Sequence, residues 1–543
     1  AHSERLDEKI QEQFQEAGVD DIDKKALAKY HPFHWVLEFA PVYRDGGFDV
    51  VIGNPPWEVL SPNRHDFFSR YDETFRQYNA SQKDTVEENL LENPEIAEEW
   101  ENHKQTMERR ADFFNKSQQY TLQSPKVAGR AVASENDLSA LFLERAFELA
   151  SSDSQVSLIL PGFVFNGAIA KDLRSWLLEN TSLDTVVGFE NKGIFDNIDD
   201  RYRFGILTFK NGGETDFVRG LFGQNDLDIL KTIDTDAVEI PKRVLSNYSP
   251  EAGIFPGVTS QREADVLYKI LSHPPIGERD SYEWWADLMT KELHEPTDRD
   301  RFVENSEEGD YPVFEGENIY QFSYTPEFIE DLAFPRYWSK DTDNSDGSAR
   351  ARVREKSFNK GYLKKALYES FGGNATSKSQ VQFVDDLLEE KRGTTLSEND
   401  VLPDYTEYRI GYRKISNSTN ERTMVATVIP KGAVCIESVQ LFRPYELAPE
   451  EQHLEEETLH NAYQRIFTDE ELFCAVGLIN SIPFDFLMRT KIETNMVKYK
   501  VEETQVPRLT DGDDWFHYIA HRAARLNCYG DDFAEMRERL GGI

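Results

Sequence analysis

The sequence predicts an α/β fold: a layered sheet flanked by helices, followed by a second domain of α+β character. Three observations predict it. The chain has 543 residues, too many for one ordinary hydrophobic core. Between residues 46 and 215, short apolar β-branched runs alternate with amphipathic helical stretches. Beyond about residue 215 that alternation gives way to aromatic, turn-rich sequence, and a boundary is placed near 245, in "RVLSNYSPEAG". A hydrophobic content of 39% and an aromatic content of 12% exclude a disordered chain.

Each element has its own signature. "ERLDEKIQEQFQEAG" places Leu6, Ile10 and Phe14 on one stripe of a charged helix. "FDVVIG" (48–53) reads as a short buried strand closed by Gly53. Residues 61–135 form a charged, mostly helical insertion with little core material. "NDLSALFLERAFELA" carries Leu138, Leu141, Phe142, Ala146 and Leu149 on one side of a helix. "QVSLILPG" is a second strand, "KDLRSWLLEN" a helix, "LDTVVGFE" a third strand and "FGILTFKNGG" a fourth. Residues 246–510 read as the α+β domain, with "APEEQHLEEETLH" as an acidic linker inside it, and 511–543 as a helical tail.

The chain holds 61 Lys+Arg against 99 Asp+Glu, a net charge of −38 spread along its whole length. That pattern fits a protein kept soluble at high salt, as in a salt-accumulating halophile. Cys435, Cys474 and Cys528 are widely and unequally spaced, and there is no CxxC or Cys/His cluster, so neither a disulfide framework nor a zinc site is supported. A reducing cytoplasm is the expected compartment. The sequence shows no apolar run of membrane-spanning length and no signal peptide.

The chemistry concentrates in "GNPPW". In an open α/β sheet, ligands sit at the carboxyl ends of the strands, and Asn54 lies at such an end. Pro55 and Pro56 fix φ and remove two N–H donors, and Pro55 biases Asn54 away from helix. The product is a rigid loop with free acceptors. The Asn54 side-chain oxygen and the Pro55 carbonyl offer two acceptors for the two hydrogens of an exocyclic amine. Trp57 offers a flat face to a base lifted out of its stack, a contact of roughly 1–3 kcal/mol.

"FDVVIGNPPW" resembles motif IV of the amino-methyltransferases that use S-adenosylmethionine, in its adenine-N6 form. With "FHWVLEFAPVYRDGGFDVVIGNPPWE", "LFLERAFELASSDSQVSLILPGF" and "GFENKGIFDNIDDRYRFGILTF", the chain is similar to the large adenine-specific DNA methyltransferases of the Eco57I type, found in type IIG restriction–modification enzymes and in phage-defence systems such as BREX and DISARM. The resemblance covers residues 30–215 strongly and the later domain more loosely. It implies a partial Rossmann-like class I methyltransferase sheet in residues 1–245 and a DNA target-recognition domain in 246–510. Asn54 and the Pro55 carbonyl would hold the adenine amino group, with Pro56 completing the motif. Trp57 would stack on one face of the base and Phe209 on the other, with Phe195 in reserve.

The family binds its cofactor through a glycine-rich turn after the first sheet strand and an acidic residue after the second. No Phe/Asp-x-Gly-x-Gly turn stands upstream of residue 46, and none with a strand–turn–helix context stands downstream. The expectation is therefore a fragment or half of a split enzyme, with the cofactor motif on an upstream segment or a partner subunit. A half-sheet of this kind would expose an open edge.

Three basic islands interrupt the acidic chain. Residues 348–365 carry Arg350, Arg352, Arg354, Lys356, Lys360, Lys364 and Lys365; residues 408–423 carry Arg409, Arg413, Lys414 and Arg422; residues 489–500 carry four basic residues including Lys498. Interleaved with Tyr and Asn, they suit a double-stranded DNA surface. The resemblance agrees, since "RIGYRKISNSTNERTMVATVIPKG" is similar to stretches of target-recognition domains. At molar salt the Debye length is about 3 Å, so close hydrogen-bonded contacts would dominate.

Two further readings stand beside a DNA adenine methyltransferase. One is a DNA-binding specificity module that lacks catalysis, supported by the missing cofactor motif. The other is a methyltransferase of RNA or of protein glutamine, which the size of the second domain disfavours. "PDYTEYR" (403–409) lacks the carboxylate–lysine continuation of a nuclease site.

Overall fold

The computed structural model describes residues 2–20, 22–29, 32–116, 119–132, 136–196, 198–200, 202–279, 282–289, 291–298, 302–303, 309–324, 336–339, 362–372, 379–417, 420–492 and 495–542. The chain divides into two compact units, 1–266 and 267–543.

The first unit opens with helix α1 (His2–Glu16), whose Phe14 packs with Val19, Ile22 and Leu27 in a small buried cluster. Strand β1 (Phe48–Gly53) follows. The insertion then folds through helices α2 (Ala80–Leu91) and α3 (Pro94–Lys116). Contrary to the expectation of little core material, it builds its own aromatic nucleus: Phe67, Phe68 and Phe75 are buried, with Trp100 against them. Helix α4 (Leu138–Leu149) runs directly into β2 (Ala150–Pro161). Helix α5 (Lys171–Asn180), β3 (Thr181–Glu190) and β4 (Arg203–Asn211) follow as the pattern predicts.

Two strands that the pattern does not single out, β5 (Phe217–Gln224) and β6 (Val238–Pro241), extend the sheet to six, in the order β1–β2–β4–β3–β5–β6. β1 runs parallel to β2, and β3 to β5, while β4 is antiparallel to both of its neighbours. The sheet is therefore mixed α/β. Arg174 of α5 is buried and secures one face with its guanidinium, donating to the carbonyls of Val164, Gly167, Ala252 and Gly253.

β1 ends the strand order, and its outward side chains are open: Val50 is 61% and Ile52 80% exposed. Among the described residues β1 pairs on one side only, so it presents an open edge with apolar side chains beside it.

In the second unit, β7 (Leu288–Met289), β8 (Arg409–Arg413), β9 (Ala426–Ile429) and β10 (Val439–Phe442) form a sheet in the order β9–β8–β10–β7. Phe302–Val303, Arg336–Ser339, Gly309–Phe314 and Val434–Cys435 make a second four-stranded sheet. Helices α6 (Tyr362–Phe371) and α7 (Gln380–Arg392) pair beside them. The stretch 448–460 is not the solvated linker its acidity predicts. Leu454 and Leu459 are buried against Leu363, Leu367, Val384 and Leu388, so its apolar positions anchor it while its carboxylates face out. Helices α8 (Asp469–Ile479), α9 (Ile482–Lys491) and α10 (Phe516–Asn527) complete the unit, the last in the expected helical tail. The three cysteines are buried and free. Among the described residues, no single helix is long and apolar enough to cross a membrane.

Candidate functional site: the loop after strand β1

Asn54 follows the last residue of β1, at the carboxyl end of the parallel pair β1–β2, where Gly53 lies opposite Leu158. Pro55 is buried, whereas Asn54 and Pro56 are exposed. Among the described residues the Asn54 side chain has no hydrogen-bond partner, so its carboxamide is free for a ligand. The exit of the loop is held by two backbone bonds: Leu138 N–H donates to the Glu58 carbonyl (2.8 Å) and Leu60 N–H to that of Asn136 (2.8 Å). Asp137 caps α4 there, and burial raises its carboxyl above its ordinary pKa, against the lowering hydrogen bonds of Ser139.

Trp57 turns back over the sheet end. Its ring lies parallel to Tyr202 (centroids 5.7 Å, planes 8° apart), edge-on to Phe195 (5.6 Å) and near Phe204 (6.0 Å). The indole Nε1 is buried, with no hydrogen-bond partner among the described residues. Burial, then the Asp137 charge, raises the Tyr202 phenol above its ordinary pKa.

The structure brings Phe195, and not Phe209, to this loop. Phe209 is fully buried and pairs in register with Val156, the mid-strand partner of Val51 three residues short of Asn54, where it meets Phe147 edge-on. β4 is antiparallel, so its carboxyl end points away from the loop and its first residues, Arg203 and Phe204, lie near it. Tyr202 was not a sequence candidate; its place just before a strand that begins "RFGILTF" is the signal that could have found it.

Beside the loop lies a cavity of about 1040 Å³, lined by Ile52, Asn54, Pro55, Phe14, Phe113, Phe142 and Leu158 among others, with Lys9, Arg110 and Arg145 as its charged residues. Among the described residues no carboxylate lines it. A ribose is ordinarily held by an acidic side chain and the rest of such a cofactor by a glycine-rich turn. Among the described residues that line this cavity neither feature is present.

The DNA candidates in the second unit divide sharply. Arg409 lies in the interior: its side chain is fully buried, donating to Glu292 Oε1 (2.7 Å) and the Ala433 carbonyl (2.5 Å). It cannot meet DNA from there, and its place in a basic island reflects an internal ion pair. Arg413 is half-buried, donates to the Ile319 carbonyl (2.8 Å) and lies over the Tyr320 ring; burial lowers its pKa. Arg422 lies 3.9 Å from Asp485. Lys498 is spoken for by the Leu288 carbonyl (2.7 Å), Glu502 (3.3 Å) and Asp287 (3.6 Å). Arg352, Arg354 and Lys356 lie outside the described residues.

The fold does unite the second and third basic islands. Ile415 bridges Asn495, Met496 N–H donates to the Lys414 carbonyl (2.8 Å), and Arg489 donates to the Glu421 carbonyl. Asp485 organises the junction, accepting from the Thr423 (2.8 Å) and Met424 (2.7 Å) amides and from Arg489 Nε (2.8 Å). Ile415, 68% exposed, stands at its crest.

Comparison with known proteins gives a partial family match and a set of similar solved structures. Residues 2–92 and 113–195 match the model of the Eco57I restriction-modification methylase, a span that includes β1, the Asn54–Trp57 loop and Phe195. More narrowly, 45 residues are 44% identical to a Methanocaldococcus jannaschii protein named as a type II restriction enzyme and methyltransferase. Similar solved structures include the type IIG restriction endonuclease BpuSI (12% identity, TM-score 0.24, 76% of this chain and 49% of that one). Others are the DNA-bound type ISP enzyme LlaBIII (12%, 0.35, 95% and 31%) and a DrdV–DNA complex (12%, 0.33, 90% and 45%). The chain thus spans 4% of the length of that curated relative and less than half of each of these structures.

Proposed function

We propose that the chain is the target-adenine half of a site-specific DNA adenine-N6 methyltransferase of restriction–modification or phage defence. The observation that carries the reading is the free Asn54 carboxamide, set beside the buried Pro55 at the carboxyl end of β1 with Trp57 next to it. Two acceptors, the Asn54 Oδ1 and the Pro55 carbonyl, would grip the adenine amino group and hold its lone pair ready, with no general base required. Trp57 would stack on the flipped base, and Phe195 or Tyr202, already against Trp57, would complete the aromatic wall. Phe209 takes no part in this reading.

S-adenosylmethionine would be the methyl donor, with its main binding motif on an upstream segment or a partner subunit. A strand of that segment would pair with the open edge of β1. Double-stranded DNA would be read by the second unit. The junction around Lys414, Arg422 and Arg489 supports that role, because it gathers three partly exposed basic side chains, two of them beside Asp485, in a chain of net charge −38. The acidic surface elsewhere suits a cytoplasm of high salt.

The test is to map N6-methyladenine in DNA from cells expressing the intact gene product. Methylation at a short sequence, lost in Asn54→Ala while that variant still binds DNA, is the expected result. A wild-type product that binds DNA but never methylates it would favour the alternative, a specificity module without catalysis.

A further inference from the structure

We propose that Glu470, His517 and His521 form a site for one divalent transition-metal ion of the zinc class, joining helices α8 and α10. The two histidines are one helical turn apart on α10, so both rings project from one face. Glu470 projects from the first turn of α8. Its Oε1 lies 3.1 Å from His517 Nδ1 and 2.8 Å from His521 Nε2, and the three donor atoms all fall within 4.8 Å of one another. Zinc bonds nitrogen at about 2.0–2.1 Å and carboxylate oxygen at about 2.0–2.2 Å, so donors on a tetrahedral edge stand about 3.4 Å apart. A shift of a few tenths of an ångström would open the cluster around an ion.

A second observation points the same way. His517 turns its other nitrogen, Nε2, to Asp511 Oδ1 at 2.9 Å. A metal-bound imidazole ordinarily donates its remaining N–H to a carboxylate, which fixes the tautomer and the ring orientation. Asp511 supplies that carboxylate from the chain just before α10. The neighbouring acid, Asp469, is taken up by Arg465 and Arg539, which leaves Glu470 to the histidines.

The two helices are held rigidly enough to present ligands. A Cβ on Gly477 would fall 2.7 Å from Ile519 Cγ2, so the helices approach closely there, and both bury apolar faces in one core. His517 and His521 are about half exposed, so solvent can reach the ion and fill its remaining position. With one position left to solvent, the site is assigned a structural role in tying α10 to α8. Sequence spacing hides it, because Glu470 lies 47 residues before His517.

The test is calorimetric titration of the chelator-treated full chain with Zn²⁺. One saturable equivalent is expected, with cobalt absorption and X-ray absorption reporting two imidazole ligands. Asp511→Asn should weaken uptake by roughly 10–100-fold. His517→Gln/His521→Gln should abolish it while keeping the wild-type circular dichroism, and Glu470→Gln should do the same if that double variant fails to fold. Absence of saturable uptake by the wild-type chain, or uptake unchanged in the histidine variant, overturns the proposal.

Discussion

The rings of Trp57 and Tyr202 lie 8° from parallel with centroids 5.7 Å apart, tying the loop after β1 to the segment before β4. The contact fixes the indole without using the Asn54 carboxamide. If Trp57 stacks on a flipped adenine, Trp57→Ala removes a contact of about 1–3 kcal/mol. Fluorescence of 2-aminopurine at the target position should then report a base that flips without stacking, and Trp57→Phe should restore most of the quenching. Equal quenching in wild type and Trp57→Ala would remove Trp57 from the site.

The open edge of β1 makes a prediction about association. Val50 and Ile52 present apolar side chains beside unpaired backbone, a template for another strand. Sedimentation of this chain should show concentration-dependent association. Val50→Lys/Ile52→Lys should suppress it, since charge on an edge strand opposes pairing. The same double variant should weaken assembly with any segment that completes the sheet. Unchanged sedimentation would show that the edge does not govern association.

What was legible in the sequence was local. β1, its terminating Asn54–Trp57 loop, α4 and α5 each carry their signal within about a dozen residues, and each forms at the place read, although β1 is not the buried strand expected, since Val50 and Ile52 are exposed. What escaped depends on partners far along the chain. Arg409 sits in a basic island by sequence, yet its partner Glu292 is 117 residues away. The stretch 448–460 is acidic by count, but two leucines decide its fate. Phe209 and Phe204 look alike in "RFGILTF"; the antiparallel direction of β4 brings Phe204 to the loop end, while Phe209, five residues on, sits at mid-strand on the opposite face of the sheet.

The Arg409–Glu292 pair gives a stability prediction. Both side chains are fully buried, and Glu292 Oε2 also accepts from the Cys435 amide (2.8 Å). Removing one partner leaves an uncompensated buried charge, which costs about 3–5 kcal/mol. Glu292→Ala should lower the urea midpoint of the second unit accordingly. Arg409→Met/Glu292→Met should recover part of the loss, because it buries no charge. DNA affinity should not separate Arg409→Met from other destabilised variants, whereas Lys414→Ala should weaken DNA binding without changing the midpoint.

Lys491 gives the pH dependence. It is buried, with Nζ 3.7 Å from Glu503 and hydrogen-bonded to the Thr504 hydroxyl and the Glu503 carbonyl (both 3.3 Å). Burial lowers its pKa from 10.5 to about 8, and the Glu503 charge only partly opposes this. The folded pKa lies below the unfolded one, so below pH 8 folding carries the cost of a buried ammonium. Between about pH 8 and 10.5 the unfolded chain holds a proton that the folded chain has released, and stability rises with pH, by at most about 1.4 kcal/mol per unit. Buried Cys474 and Cys528, pushed up to about 12, act in the opposite sense: unfolded thiols ionise near 9 while the folded ones do not, so stability falls above that pH. The lysine effect is therefore cleanest from pH 8 to 9. Urea unfolding of the wild-type chain should show stability increasing over that interval, and Lys491→Met/Glu503→Gln, which keeps the cysteines, should show no increase. Parallel slopes for the two proteins would place the titrating group elsewhere.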